Sequence, residues 1–133
     1  MKLIDEIKKH EGFKDTVYKC TAGVDTIGYG FAIKDLVLDQ DIADIILQRK
    51  LNQLIKRIKR TFTWYDRIPE KAQHVVVNMC YQLGIGGVSK FKKTLSHLKN
   101  HKWQEASVEM LDSKWARQTP NRAVELSNII KSL

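Results

Sequence analysis

Several things are scarce in this chain, and each scarcity removes a class of protein. There are two cysteines, Cys20 and Cys80, with no Cys-x-x-Cys pair. They therefore match neither a zinc ligand set nor a redox motif, and both read as reduced thiols. No run of about 18 apolar residues exists that could span a bilayer. Equally, no stretch is so poor in apolar residues that it would stay disordered. The first residues, MKLIDEIKKHE, interleave acids and bases with the apolar positions. A secretory signal needs an unbroken apolar stretch, so none is expected. Negative charge is also short, with 15 Asp and Glu against 23 Lys and Arg, a net charge of +8. That balance favours a polyanion, whether nucleic acid, lipopolysaccharide or an acidic cell wall, without choosing among them. What remains is a chain of 133 residues, 43% hydrophobic and 29% charged. It is long enough for one domain with its own core.

Apolar spacing divides the chain. Leu3, Ile4 and Ile7, backed by Lys8 and Lys9, predict a short amphipathic helix ending near Gly12, with Glu11 at its C-terminal end. From Phe13 to about Ile33 the pattern turns β-like, through Thr16, Val17, Tyr18, Thr26, Ile27 and Tyr29, with Gly23, Gly28 and Gly30 as turn points. After Asp39, apolar residues from Ile42 to Phe62 keep a helical period, which predicts one long helix. Its other face carries Arg49, Lys50, Lys56, Arg57, Lys59 and Arg60, which suits either a polyanion contact or an ordinary solvated face.

Pro69 and Glu70 fit the first turn of a helix that is apolar nearly all round, from Ala72 to Leu83. It is expected to be buried, and to end at Gly84, Gly86 and Gly87. Shorter helices follow around Leu95 and Leu98 and from Trp103 to Leu111. Thr119 before Pro120 reads as an N-cap opening a last helix. The class is α+β, mainly helical, with strands confined to one end.

Glu11, Cys20 and Thr26 stand in the segment EGFKDTVYKCTAGVDTIGYG. Cleaving a glycosidic bond needs a carboxylic acid to protonate the leaving oxygen and a second group to supply a base or nucleophile. Glu11 is the candidate acid, although a Glu at a helix end is ordinarily just a surface residue.

The pattern E-x8-C-x5-T followed by TIGYG closely resembles the active-site segment of the phage lysozymes of glycoside hydrolase family 24, T-even type. That family reads E-x8-D-x5-T, with Cys in the middle place in some members. NMCYQLG at Asn78 to Gly84, GVSKF ending at Phe91, the region of Trp103 and Glu105, and QTPNRA at Gln118 to Ala123 extend the likeness over nearly the whole chain. The resemblance implies a lysozyme-like fold in one domain. A small β-hairpin lobe would cover about residues 13–38, a linking helix about 39–62, and a helical lobe about 63–133 packed with helix 1–11. It also implies hydrolysis of the β-1,4 bond between N-acetylmuramic acid and N-acetylglucosamine in bacterial peptidoglycan, in a cleft between the lobes.

By the same resemblance Glu11 matches the proton donor, Cys20 the catalytic carboxylate's place, and Thr26 the hydroxyl that positions the attacking water. Arg122 matches a basic residue near the catalytic Glu, and Tyr81, Gln82 and Thr94 match positions lining the sugar cleft. Tyr81 reads equally well as an aromatic on a core helix. No metal or cofactor is implied. Peptidoglycan and a separate holin are the partners expected, with no nucleic acid and a monomeric protein. The expected course runs from the host cytoplasm to the periplasm and wall on holin release, for host lysis; a virion-borne enzyme is the variant.

Three departures bear on this. A neutral thiol at Cys20 cannot lend the negative charge of an Asp. A thiolate can, if Lys19, Arg122 or backbone donors depress its pKa; otherwise Cys20 is a small polar filler. Phe31 stands where related chains carry a His, so an ion pair made by that His is absent. Between Gly30 and Asn78 the chain is short, which suggests a missing helix in the small lobe. The alternatives are a lytic transglycosylase relying on Glu11 alone, or a catalytically weak murein-binding protein.

Overall fold

A computed structural model describes residues 2–133. By the density of contacts within each part, the chain divides into two units, Met1–Asp44 and Ile45–Leu133.

The first unit opens with α1 (Leu3–Glu11), which carries Asp5 and Glu6 in its first turn and Lys8, Lys9 and His10 in its last. This order of charge complements the helix dipole at both ends. Gly12, at φ +69°, ends it, and its N–H closes onto the Lys8 carbonyl. Only glycine takes that backbone conformation without strain. Three antiparallel strands follow, β1 (Lys14–Lys19), β2 (Asp25–Gly28) and β3 (Phe31–Ala32), in the order β1-β2-β3. The expected hairpin has thus gained a third strand, of only two residues, which periodicity cannot register. Tyr18 pairs with Thr26 and Lys19 with Asp25, and a bulge lies between Lys14 and Tyr18. A cross-strand ion pair of 2.7 Å joins Lys19 to Asp25 beside the turn. Beyond β3 comes one 3-10 turn, Ile33–Asp35, before the next helix.

That helix is α2 (Gln40–Thr61), which runs from the end of the first unit into the second. In the second unit Ile58 is fully buried, with Leu51, Leu54 and Ile55 packed against the same core. The remaining helices are α3 (Glu70–Ser89), α4 (Lys92–Lys99), α5 (Trp103–Leu111), α6 (Lys114–Gln118) and α7 (Pro120–Lys131). As the apolar pattern requires, α3 is deeply buried, through Ala72, Val75, Val76, Val77, Met79 and Cys80. α5 packs on α4 and α7, so that Met110, Ala106 and Ile130 close the core. Burying side chains of this size stabilises the fold by about 1.5–3 kcal/mol each before the entropy of ordering them is subtracted.

Two local expectations need correction. Gly84, at φ +76° and ψ +159°, ends the helical path as expected, but Gly86 and Gly87 do not, because a second helical stretch, from Ile85 to Ser89, follows the kink at once. Thr119 occupies the N-cap of α7 but its side chain caps nothing; its hydroxyl donates back to the Trp115 carbonyl at 3.0 Å. The side-chain cap lies one helix earlier, where Ser113 accepts from the Ala116 N–H at 3.1 Å and opens α6. Among the described residues no helix is long and apolar enough to cross a membrane.

Candidate active site

The hairpin between β1 and β2 is the best-defined part of the site. Its turn closes through the Cys20 N–H on the Val24 carbonyl, at 3.0 Å, and the Gly23 N–H on the Cys20 carbonyl, at 2.8 Å. Gly23, at φ +76°, supplies the left-handed residue that this closure demands. Side chains directly opposite one another in an antiparallel pair share a face, and that face recurs every second residue. Since Tyr18 faces Thr26, Cys20 projects on the same side as Thr26. The register thus brings together two of the three residues singled out in the sequence.

The turn also sets the sulfur's chemistry. The Cys20 thiol lies below its ordinary pKa because the backbone N–H groups of Val24 and Ala22 donate to it, against a smaller opposing effect of desolvation. Hydrogen bonds to the charged form favour that form. Of the candidate causes named from sequence, the backbone is therefore the one at work. Lys19 is not, since its ammonium is held by Asp25 at 2.7 Å.

Thr26 is the first unit's one buried side chain among the described residues, at 4% exposure. Its hydroxyl donates to the Val24 carbonyl at 2.8 Å. A Thr26 hydrogen bond also contributes, weakly, to lowering the Cys20 pKa. One hydroxyl hydrogen cannot serve both acceptors at once, and the short bond to Val24 is the one in place. With that hydrogen committed, the Thr26 oxygen is left as an acceptor.

Glu11, the last residue of α1, lays its carboxylate on the turn between β2 and β3. A Cβ added at Gly30 would meet the Glu11 Oε2 at 2.5 Å, and Gly30 has φ +75°. Glycine is required there twice over, by the backbone conformation and by the carboxylate lying on it. A similar close approach occurs at Gly28, where an added Cβ would lie 2.8 Å from the Phe31 ring. Phe31 meets Tyr29 edge to face at 6.3 Å, and Tyr29 meets Phe13 at 5.4 Å. The position that has lost a His thus belongs to an aromatic cluster.

The other sequence candidates lie in the second unit. Arg122 is clamped by Asn78: its Nε and Nη2 donate to Oδ1 at 2.9 and 2.6 Å, and Nη2 also donates to the Asn78 carbonyl at 3.2 Å. Gln82 Oε1 accepts from Trp115 Nε1 at 2.8 Å. Thr94, 3% exposed, lines a pocket of about 590 Å³ with Leu83, Phe91, Glu109, Lys114 and Trp115. Tyr81 is 51% exposed, so it is not a core aromatic. Sequence reading missed Asn78 and Trp115 as the residues that hold Arg122 and Gln82. Asn78 stood inside a motif already singled out, but its partner lies 44 positions away. Cys80 is a free, buried thiol whose pKa is pushed up to about 11 by burial, so it stays protonated and inert. Among the described residues no cluster of His, Cys, Asp or Glu could hold a metal ion.

A mainly helical α+β frame with a small antiparallel sheet, carrying a carboxylate and an anion-stabilising turn in one short segment, defines a lysozyme-like protein. The chain belongs to the phage lysozyme family, whose sequence model matches residues 8–128. It is similar to probable T4-type lysozyme 2 of Dictyostelium discoideum, at 26% identity with 98% of this chain and 94% of that protein covered. Probable T4-type lysozyme 1 of the same organism is 27% identical, with 96% and 92% covered. The pre-baseplate central spike protein Gp5 of Enterobacteria phage T4 is 27% identical over 98% of this chain, which spans only 28% of that protein. The first of these matches runs over 159 aligned positions, more than the 133 residues of this chain, so the relative carries insertions.

Proposed function

We propose that this protein is a muramidase that hydrolyses the β-1,4 bond between N-acetylmuramic acid and N-acetylglucosamine in peptidoglycan. Glu11 is the general acid, protonating the leaving oxygen. Cys20, as a thiolate held by the Val24 and Ala22 N–H groups, supplies the negative charge opposite the oxocarbenium-like centre and accepts a proton from water. Thr26 orients that water. Because its hydrogen is given to Val24, the water must donate one hydrogen to Thr26; its second points to the sulfur, and a lone pair is left for the anomeric carbon. Tyr81, Gln82 and Thr94 contact sugar, and Arg122 acts as a basic substrate contact. Delivery to the wall depends on a separate holin, and the role is host cell lysis.

The observation that carries this reading is the pair of backbone donors on the Cys20 sulfur, next to Thr26 on the same sheet face. The lowered pKa supports this reading of position 20, where a neutral thiol would lack the charge of an Asp. The test is product analysis of digested murein by mass spectrometry for the native protein beside Glu11→Gln and Cys20→Ala. Hydrated reducing ends are expected, lost in Glu11→Gln and strongly diminished in Cys20→Ala. A predominance of 1,6-anhydro sugars, unaffected by Cys20→Ala, would identify a lytic transglycosylase instead.

A further inference from the structure

Positive charge is concentrated on one face of α2. The second unit, Ile45–Leu133, holds 17 Lys and Arg against six Asp and Glu. From Ile45 to Tyr65 there is no acidic residue at all. At about 100° of turn per residue, Leu51, Leu54, Ile55 and Ile58 fall on one side of α2, where they meet the core. Arg49, Lys56 and Arg60 fall within about 40° of one another on the opposite side, and Lys50 and Arg57 extend that face along one flank. All five are exposed. None takes part in an ion pair among the described residues, whereas the sixth base of the helix, Lys59, is engaged by Asp66 at 3.4 Å.

We infer that this face of α2 is a docking surface for an anionic phospholipid bilayer. The stripe runs about 16 Å from Arg49 to Arg60, straight along the helix, so a flat layer of phosphates can touch every member at once. Three of the five are guanidinium groups, whose planar fork matches phosphate oxygens in pairs. A helix that reads duplex nucleic acid places polar, base-contacting residues at the centre of its face and phosphate-binding bases on both flanks. On α2 Arg49, Lys56 and Arg60 hold the centre, with Gln53 the one uncharged polar residue among them; Lys50 and Arg57 hold one flank, and the other carries Ile45, Asn52 and the engaged Lys59. Along the stripe itself the apolar side, Leu51 to Ile58, is packed against the core, so this stretch of the helix does not insert. Binding is therefore peripheral, electrostatic and reversible by salt.

Sedimentation with vesicles tests this directly. The full chain is expected to bind phosphatidylglycerol-containing vesicles at low ionic strength and to ignore pure phosphatidylcholine. The R49E/K56E/R60E variant, its fold checked by circular dichroism and thermal unfolding, should lose at least about a hundredfold in partitioning, as expected if each base contributes about a factor of five or more. The K99E/K102E/K131E variant makes the same change in net charge elsewhere on the second unit and should lose only a few fold. Equal losses in the two variants would overturn the inference, since net charge rather than the stripe would then be responsible. So would tighter binding of a short DNA duplex than of the anionic vesicles at the same salt. Glu11→Gln leaves the stripe intact and should bind vesicles as the native protein does, so the adsorption stands or falls apart from hydrolysis.

Discussion

The two units differ in what holds them and in what they carry. Among the described residues every buried hydrophobic one lies in the second unit, from Ile58 to Ile130. In the first, Thr26 alone is buried among the described residues, and order comes from strand pairing, an ion pair and glycines at positive φ. Charge divides with them. Met1–Asp44 holds six Lys and Arg against nine Asp and Glu, a net charge of −3, while the second unit stands at +11. The lesson is that the proposed reactive groups reside where the backbone determines geometry, and stability resides where side-chain volume does.

That contrast can be broken at its strongest points. Glu11→Gln removes the proposed proton donor while keeping the side chain's shape, so murein hydrolysis should fall by about 10²- to 10⁴-fold with an unchanged melting temperature. A matching loss of stability would erase the distinction. Met110→Ala, at a fully buried site in the second unit, should cost about 2–5 kcal/mol in chemical denaturation. Val17→Ala, at 55% exposure in the first, should cost less than about 0.5 kcal/mol.

A pH experiment sharpens the comparison, because the two thiols are shifted in opposite directions. The folded Cys80 pKa is raised from 9.0 to about 11, so it is the unfolded chain that ionises first as pH climbs. Below about pH 9 the group is protonated in both states and makes no difference. Between about pH 9 and 11 stability should fall by about 2 to 3 kcal/mol, and Cys80→Ala should flatten that part of the curve. Tyr65, also raised by burial and then by Asp66, adds to the same alkaline loss and remains in the variant. Cys20 is lowered, so the opposite sign applies: its contribution is present above the unfolded value and is lost as pH falls through the folded one. If the thiolate is the working form, hydrolysis should decline in that same direction, and Cys20→Asp should move the limb to lower pH.

Gly30→Ala is the smallest change and the most local. The new methyl group must displace the Glu11 carboxylate and adopt φ +75°, at a cost of about 1–2 kcal/mol and a disproportionate loss of activity. Retained activity would mean that the carboxylate need not rest on that turn.

How much of this was legible in the sequence depends on range. The long period of α2 and the all-round apolar character of α3 were readable because each rests on local spacing. So was the segment from Glu11 to Thr26, with its glycine turns. The break at Gly84 was readable, but the helical stretch that resumes after it was not, since a single glycine at positive φ looks the same in sequence whether the helix stops or resumes. Thr119 was misread because its hydroxyl has two acceptable partners, and the preceding helix won. The clamp of Asn78 on Arg122 and the bond from Trp115 to Gln82 span 44 and 33 positions, and no local pattern encodes such pairings. The lowered pKa of Cys20 was unreadable for a different reason: its donors are peptide groups, which every residue possesses, and only the closure of the turn aims them.

That last point has a consequence for how such a site changes over time. Two peptide N–H groups, aimed by a turn that Gly23 closes, recognise negative charge and nothing else about its bearer. A socket of this kind is indifferent to whether sulfur or oxygen fills it. On the proposed reading, position 20 can exchange thiolate for carboxylate while its surroundings stay as they are, which makes the anion the replaceable part of the site and the turn the fixed one.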